Sequence, residues 1–245
     1  MMGKTTGIDY ADASWSPWYG CTLVSAGCQH CYAEREMKWH GIDFNTVTRA
    51  ADKTFNAPLH WKEPKKIFVC PWGDFFHEAA DEWRQEALWI MEGESRHTYI
   101  IPTKRPERIG KCLYEKEGNY HLGGGDWLPN VWFLASVENQ EMADKRIPEL
   151  LKLREYGDWP VLGVSVEPML GLIDWEPWIK LDWIVVGAES GNQRRPCNLE
   201  WVKSLYRHCI SARIPLWVKQ LHIDGRLVKD INQFPTDLQI REYPK

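Results

Sequence analysis

Six short runs of almost continuously apolar, β-branched residues punctuate the chain: KKIFVCP (65–71), HTYIIPT (97–103), NVWFLASV (130–137), PVLGVSV (160–166), DWIVVGA (182–188) and PLWVKQ (215–220). Runs of this length and composition predict strands, and their lack of apolar–polar alternation is that of strands buried on both faces. The stretches between them repeat apolar residues at helical spacing among charges: DEWRQEALWIMEGE, RPERIGKCL, NQEMADKRIPELLKL and NLEWVKSLYRHCISA. The last two open on Asn139 and Asn198, whose side-chain oxygens suit a helix N-cap. Strand then helix, six times over after a first unit of different character, predicts βαβ units around a parallel sheet, hence an α/β protein. Periodicity alone fits a doubly wound open sheet and a (β/α) barrel equally.

No Pro/Gly/Ser linker divides the chain, so a single domain is expected over residues 1–222. EKEGNYHLGGGDWLPN (115–130) reads as a surface insertion with a glycine tip, and residues 223–245 as a C-terminal extension over the sheet edge. The 245 residues, 44% hydrophobic and 26% charged, have a mean hydropathy of −0.47, the values of a water-soluble globular protein. No apolar run approaches the ~20 residues that span a bilayer, and MMGKTTGIDYADAS lacks the apolar core of a signal peptide, so a cytoplasmic protein without membrane contact is expected. Seven cysteines, an odd number, would stay reduced there, which disfavours a disulfide framework. A net charge of −4 argues against a broad nucleic-acid-binding surface but leaves room for a small basic site. The 15 tryptophans read as core and rim packing.

Polar and ionisable residues gather just after the predicted strands: Gly73, Asp74, His77 and Glu78; Thr103, Lys104 and Arg105; Ser136, Glu138 and Asn139; Ser165 and Glu167; Glu189, Ser190, Arg194 and Arg195; Lys219 and Gln220. In parallel α/β sheets the C-terminal strand ends build the active site. Three of those ends carry a glutamate soon after a Ser or Ala (Glu138, Glu167, Glu189), which points to one shared site. Rim salt bridges to Lys104, Arg105 or Arg146 are the structural alternative.

Cys21, Cys28 and Cys31 are spaced C-x6-C-x2-C, a loop compact enough to bring three thiolates to one centre. A structural zinc site is closed by four protein ligands. Here zinc would have to recruit His30, His40 or the distant Cys70. Three thiolates and one open position suit an iron–sulfur cluster whose fourth iron binds something other than protein.

The segments WSPWYGCTLVSAGCQHCYAE, GDFFHE, TKRPERI, PNVWFLASVENQEMADKRIPELL, VSVEPMLGLIDW, DWIVVGAESG and RRPCNLEWVKSLYRHC, with IPLWVKQ, together resemble the phage Gp37/Gp68 (DUF5131) family, from about Asp12 to Gln220. That family is similar to radical SAM enzymes. The resemblance implies a partial (β/α)6 TIM-type barrel of parallel strands, with a [4Fe–4S] cluster on the loop after the first strand held by Cys21, Cys28 and Cys31. It implies S-adenosyl-L-methionine as the second cofactor and flavodoxin or ferredoxin as electron donor. By strand order, Gly73 and Asp74 would receive the methionine amino group. Ser136, Glu138, Ser165, Glu167 and Glu189 would contact ribose and carboxylate. The chain departs from the commonest radical SAM pattern, C-x3-C-x-aromatic-C, in its longer first gap and in His30 before the last cysteine; His30 or Tyr32 would stack on adenine. The implied activity is hydrogen abstraction by a 5′-deoxyadenosyl radical, with a nucleic-acid substrate carrying a modified thymine or a damaged base. Lys104, Arg105, Arg108, Arg194 and Arg195 would meet phosphate, and Trp72, Phe75 and Phe76 would stack on an extruded base. The alternative is a non-enzymatic, zinc-stabilised protein that binds nucleic acid or a host factor.

Overall fold

A computed structural model describes residues 6–114 and 128–245. Strand β1 (Ala13–Trp15) leads through a turn to β2 (Trp18–Tyr19), which pairs antiparallel with β3 (Thr48–Arg49). The three cysteines and helix α1 (Tyr32–Trp39) lie between β2 and β3, and the short α2 (Asp52–Phe55) follows. All six apolar runs are strands: β4 (Lys66–Val69), β5 (Thr98–Thr103), β6 (Val131–Ser136), β7 (Val161–Val166), β8 (Ile184–Gly187) and β9 (Leu216–Ile223). Helices α3 (Asp81–Gly93), α4 (Ile109–Tyr114), α5 (Gln140–Leu151) and α6 (Leu199–Ala212) connect them, and β10 (Arg226–Val228) closes the series. Both expected caps form: Asn139 accepts from the Met142 amide at 3.0 Å and Asn198 from the Glu200 amide at 2.9 Å.

The strand–helix alternation fails once. Between β7 and β8 the chain makes only a short 3-10 turn, Glu176–Trp178. That connection carries Pro168 and Pro177, and it plugs Met169, Ile173 and Trp175 into the apolar layer beneath the sheet instead of forming a helix. Three-residue β1 was too short to show as an apolar run.

The sheet order is β1-β4-β5-β6-β7-β8-β9-β10, parallel throughout except for the antiparallel β9–β10 pair. With β2 and β3 set apart as their own ribbon, each strand of this sheet lies beside the one that precedes it in the sheet, so the sheet is singly wound and curls into a half-barrel. A doubly wound sheet would reverse direction at a switch point. Alternate side chains along each strand divide two cores. Ile67, Val69, Ile101, Phe133 and Ala135 in the first half, and Val164, Ile184, Val186 and Val218 in the second, face the helices. Phe68, Ile100, Leu134, Val161, Val185 and Trp217 face the concave side, where Tyr10 and Trp183 fill the base of the barrel.

The expected insertion lies outside the described residues except for 128–130, where Leu128 is buried and the Asn130 amide donates to the carbonyls of Met91 (2.9 Å) and His97 (3.1 Å). At the other end, the chain after β10 returns along β9: the Val218 amide donates to Ile240 and the Glu242 amide to Leu216, each at 2.9 Å. No described helix is long and apolar enough to cross a membrane.

Candidate functional site

The concave side opens at the C-terminal strand ends into a cavity of about 660 Å³. Its polarity follows from the strand period. Phe68, Ile100, Leu134 and Trp217 form the apolar layer beneath it, and two residues further along the same faces Pro102, Ser136 and Lys219 line the cavity. Ser14, Ser165 and Glu167 join them on the wall. The barrel is therefore dry below and polar above.

The cysteine segment folds over this opening, and Cys21, Cys28 and Cys31 all line the cavity. Gly20, with φ of 100°, brings the loop in: a Cβ there would sit 2.4 Å from the Thr46 carbonyl oxygen. The Gly20 amide donates to Trp72 and the Cys21 amide to Phe44, both at 2.8 Å. Cys31 is the N-cap of α1. Three strand ends then hold the loop.

From β5, buried Arg105 donates to Cys21 Sγ at 3.6 Å, to Thr22 Oγ1 at 2.8 Å and to the Thr22 carbonyl at 3.2 Å. Asp74 orients it at 3.3 Å while also accepting from Thr103 Oγ1 (2.7 Å) and the amides of Phe76 and Lys104 (2.9 Å each). From β6, Glu138 accepts from the Gly27 amide at 2.9 Å and from Arg146 at 3.0 Å. A Cβ at position 27 would lie 2.9 Å from the Glu138 carboxyl carbon, so a larger residue there would have to displace the carboxylate. From β8, Glu189 pairs with the Arg195 guanidinium, which donates to the Ala26 carbonyl at 3.0 Å, and His30 Nδ1 lies 3.3 Å from Glu189 Oε2.

These contacts set the electrostatics. Burial and Asp74 push the Cys21 thiol up to about 11, against the pull of Arg105. Burial works to raise the Glu189 carboxyl, but the Arg195 hydrogen bonds outweigh it and hold it below the usual carboxylate range. Burial, with Arg105 adding, lowers His77; its Nδ1 accepts from the Ala79 amide and its Nε2 lies 3.1 Å from Thr22 Oγ1. Burial raises the Tyr32 hydroxyl strongly.

The structure gathers His30, Tyr32, Gly73, Asp74, Ser136, Ser165, Glu167 and Glu189, with Lys104 and Arg105, around one cavity. Glu138, Arg194 and Arg195 do not line it. Glu138 is consumed by Gly27 and Arg146, Arg194 donates to the carbonyls of Gly191 (3.0 Å) and Gly225 (3.3 Å), and Arg195 serves Glu189. Arg108 donates to the Phe76 carbonyl at 2.8 Å and to Asp81 at 2.7 Å. The expectation that Phe75 and Phe76 stack on a base is corrected: both are wholly buried, Phe75 stacked on Trp18 at 4.9 Å. Trp72 alone of that trio reaches the cavity.

Glu167 differs from the other carboxylates. Its Oε2 accepts from Lys219 Nζ at 3.0 Å, and its Oε1 is buried; burial raises the Tyr10 hydroxyl, and this carboxylate acts on it and adds to the rise. Arg35 and Lys229, absent from the sequence reading, also line the opening; Arg35 lies one helical turn after Cys31, which was the available signal. Among the described residues, no three His, Cys, Asp or Glu side chains converge closely enough to hold one metal ion. A cluster spreads its ligands over several metal atoms and requires no such convergence.

A family model described as "Protein of unknown function (DUF5131)" matches residues 5–232. No curated protein matches the sequence. Among solved structures, a spore photoproduct lyase variant superimposes with a TM-score of 0.50 and 13% identity over 77% of this chain, which spans 58% of that enzyme's length. Another variant, solved with a dinucleoside spore photoproduct, gives a TM-score of 0.50 and 13% identity over 92% of this chain and 68% of its own. At that identity the likeness is one of fold, the half-barrel of the radical SAM kind.

Proposed function

This chain belongs to the DUF5131 family, and we propose that it is a radical SAM enzyme. The observation that carries the reading is that Cys21, Cys28 and Cys31, on one clamped loop, line the polar end of the half-barrel cavity. Cys21, Cys28 and Cys31 would hold a [4Fe–4S] cluster, leaving one iron for S-adenosylmethionine. Together these groups supply one-electron cleavage of a sulfonium and, from it, hydrogen-atom abstraction.

The chain's own residues bind, orient and shield. Glu167 lines the cavity with its rotamer fixed by Lys219, and its carboxylate would accept from a cofactor hydroxyl or ammonium group. Ser136 and Ser165 offer hydroxyls beside it. Asp74 and Glu189 spend their oxygens on protein donors, so they position the loop instead of touching the cofactor. Tyr32 and His30 flank the last cysteine and present rings to the cavity. The apolar base, from Tyr10 to Trp217, keeps water from the reacting centre. The substrate we propose is nucleic acid carrying a modified thymine or damaged base; the fold relative solved with a dinucleoside lesion supports that class. Electrons would come from flavodoxin or ferredoxin.

Anaerobic reconstitution with iron and sulfide, then S-adenosylmethionine and dithionite, tests this reading. The expected result is brown protein with about four iron per chain and release of 5′-deoxyadenosine. Cys28→Ala abolishes the cleavage while far-ultraviolet circular dichroism stays that of the wild type. Colourless protein with stoichiometric zinc, and loss of fold in Cys28→Ala, would establish the zinc-stabilised binding protein instead.

A further inference from the structure

The lip of the cavity carries a surface that the proposed cofactor chemistry leaves unused. Trp39, at the end of α1, is 83% exposed, the most of any large apolar side chain among the described residues. Its ring lies 4.9 Å from that of His40, and His40 lies 5.5 Å from Trp72, which lines the cavity. Trp72 is held by an indole N–H donated to Glu36 at 2.8 Å. Three rings thus run from the cavity wall onto open surface. Burial cannot explain Trp39, because almost none of it is buried.

The charges lining the cavity that Trp72 shares are unbalanced. Of the carboxylates lining the cavity, Asp74 is paired with Arg105, Glu167 with Lys219 and Glu189 with Arg195. Glu36 is spent on the Trp72 indole. Arg35, Lys104 and Lys229 line the cavity with no ion-pair partner among the described residues. Arg35 and Trp39 are four apart on α1 and share a face. A local excess of cations in a chain of net charge −4 selects for an anion.

Flat rings in series beside unpaired cations fit a polymer that alternates bases with phosphates. We infer that this lip binds single-stranded nucleic acid. Bases flanking the nucleotide in the cavity stack along Trp72, His40 and Trp39, and Arg35, Lys104 and Lys229 meet the phosphates. The inference rests on the proposed function for the fate of the nucleotide in the cavity, whereas the binding itself needs no cluster. A duplex would need a broader basic face than three cations supply.

The test is fluorescence anisotropy of a labelled single-stranded DNA of about ten nucleotides with the full chain, without added iron, over a salt series. Affinity should fall with salt with a log–log slope of about −2, from ~0.7 for each of three phosphates. Trp39→Ala should weaken binding roughly five- to hundred-fold, the loss of one base stack; its exposure makes the variant safe for folding. Lys104→Gln with Lys229→Gln should bring the slope to about −0.7. Unchanged affinity in Trp39→Ala, no binding at low salt, or a flat salt response overturns the inference. So does a Trp39→Ala variant that keeps oligonucleotide binding but loses capture of flavodoxin, which would assign the lip to the electron donor. Failure of the radical reading looks different: oligonucleotide binding persists, with no iron and no 5′-deoxyadenosine.

Discussion

Substitution of Glu138 separates two roles for a strand-end carboxylate, cofactor ligand and loop clamp. Glu138 is 1% exposed and its partner Arg146 is 3% exposed. Arg146 donates to Glu138 at 3.0 Å and to the Ser136 carbonyl at 2.8 Å, so the guanidinium is fixed in place whatever stands at 138. Glu138→Leu leaves that cation buried without a counter-charge, at a cost of about 3–5 kcal/mol. It also strips the Gly27 amide of its acceptor, roughly 1 kcal/mol more. For a chain of this length each kcal/mol shifts Tm by about 2–4 °C, so a fall of roughly 8–24 °C is expected. The double variant Glu138→Leu/Arg146→Met removes both charges and should recover about 2 kcal/mol or more of the loss. Urea unfolding of wild type, single and double variants gives the numbers. Labelling of Cys28, next to Gly27, reports the loop directly and should accelerate in both variants, because neither restores the acceptor for Gly27. A single variant within about 1 kcal/mol of wild type that has lost only S-adenosylmethionine binding would make Glu138 a cofactor ligand and refute the clamp. Equal losses in single and double variants would refute the buried-charge argument.

Three further outcomes follow from the same geometry. If the proposed cluster is held by Cys21, Arg105→Lys, which keeps the charge facing Asp74 but loses the fork onto Cys21 and Thr22, should lower its potential because a hydrogen bond to a ligand sulfur favours the reduced state; an unchanged midpoint in a potentiometric titration would refute it. His97 is fully buried, edge-on to Trp61 (6.1 Å) and Tyr99 (6.2 Å), and burial lowers its pKa. The unfolded chain then binds the proton more readily, so stability is full above the unfolded value of about 6.5 and declines as pH falls below it. His97→Phe should flatten the dependence of the urea midpoint between about pH 7 and 5, and an unaltered slope would exclude His97 as a source of acid sensitivity. A Cβ on Gly163 would lie 2.5 Å from the Trp183 carbonyl oxygen and 2.6 Å from Leu134 Cδ2, so Gly163→Ala should cost about 3 kcal/mol in urea unfolding; a loss under about 1 kcal/mol would show that β7 and β8 can move apart.

The strands were legible because each is buried on both faces, which writes an uninterrupted apolar run into the chain. The caps at Asn139 and Asn198 were legible because capping is local. What escaped depends on partners remote in sequence. Gly27 and Glu138 are 111 residues apart, and His30 and Glu189 are 159 apart, so no local pattern marks either contact. Phe75 and Phe76 follow a strand end, as site residues do, but Trp18 and Phe133 take them into the core. The connection after β7 looked like another helical stretch by count, although its own composition, with two prolines, argued otherwise.

Glu138 and Glu167 show why a rim carboxylate cannot be assigned from strand order. Each lies two residues beyond a serine on the concave face, Ser136 or Ser165, and those serines are paired partners on neighbouring strands. The sequence contexts are nearly equivalent, yet one carboxylate is shut away under Gly27 and Arg146 and the other lines the cavity beside Lys219. The difference lies in where the cysteine loop lands. It starts beside the β1 edge, crosses the opening, and sets Gly27 against Glu138 after β6, whereas Glu167 after β7 is held by Lys219 of β9. The same crossing brings it to Arg105 on β5 and to Glu189 and Arg195 after β8, so three strand ends determine one loop. Order in the thiol loop is therefore coupled to the spacing of the strand ends that hold it.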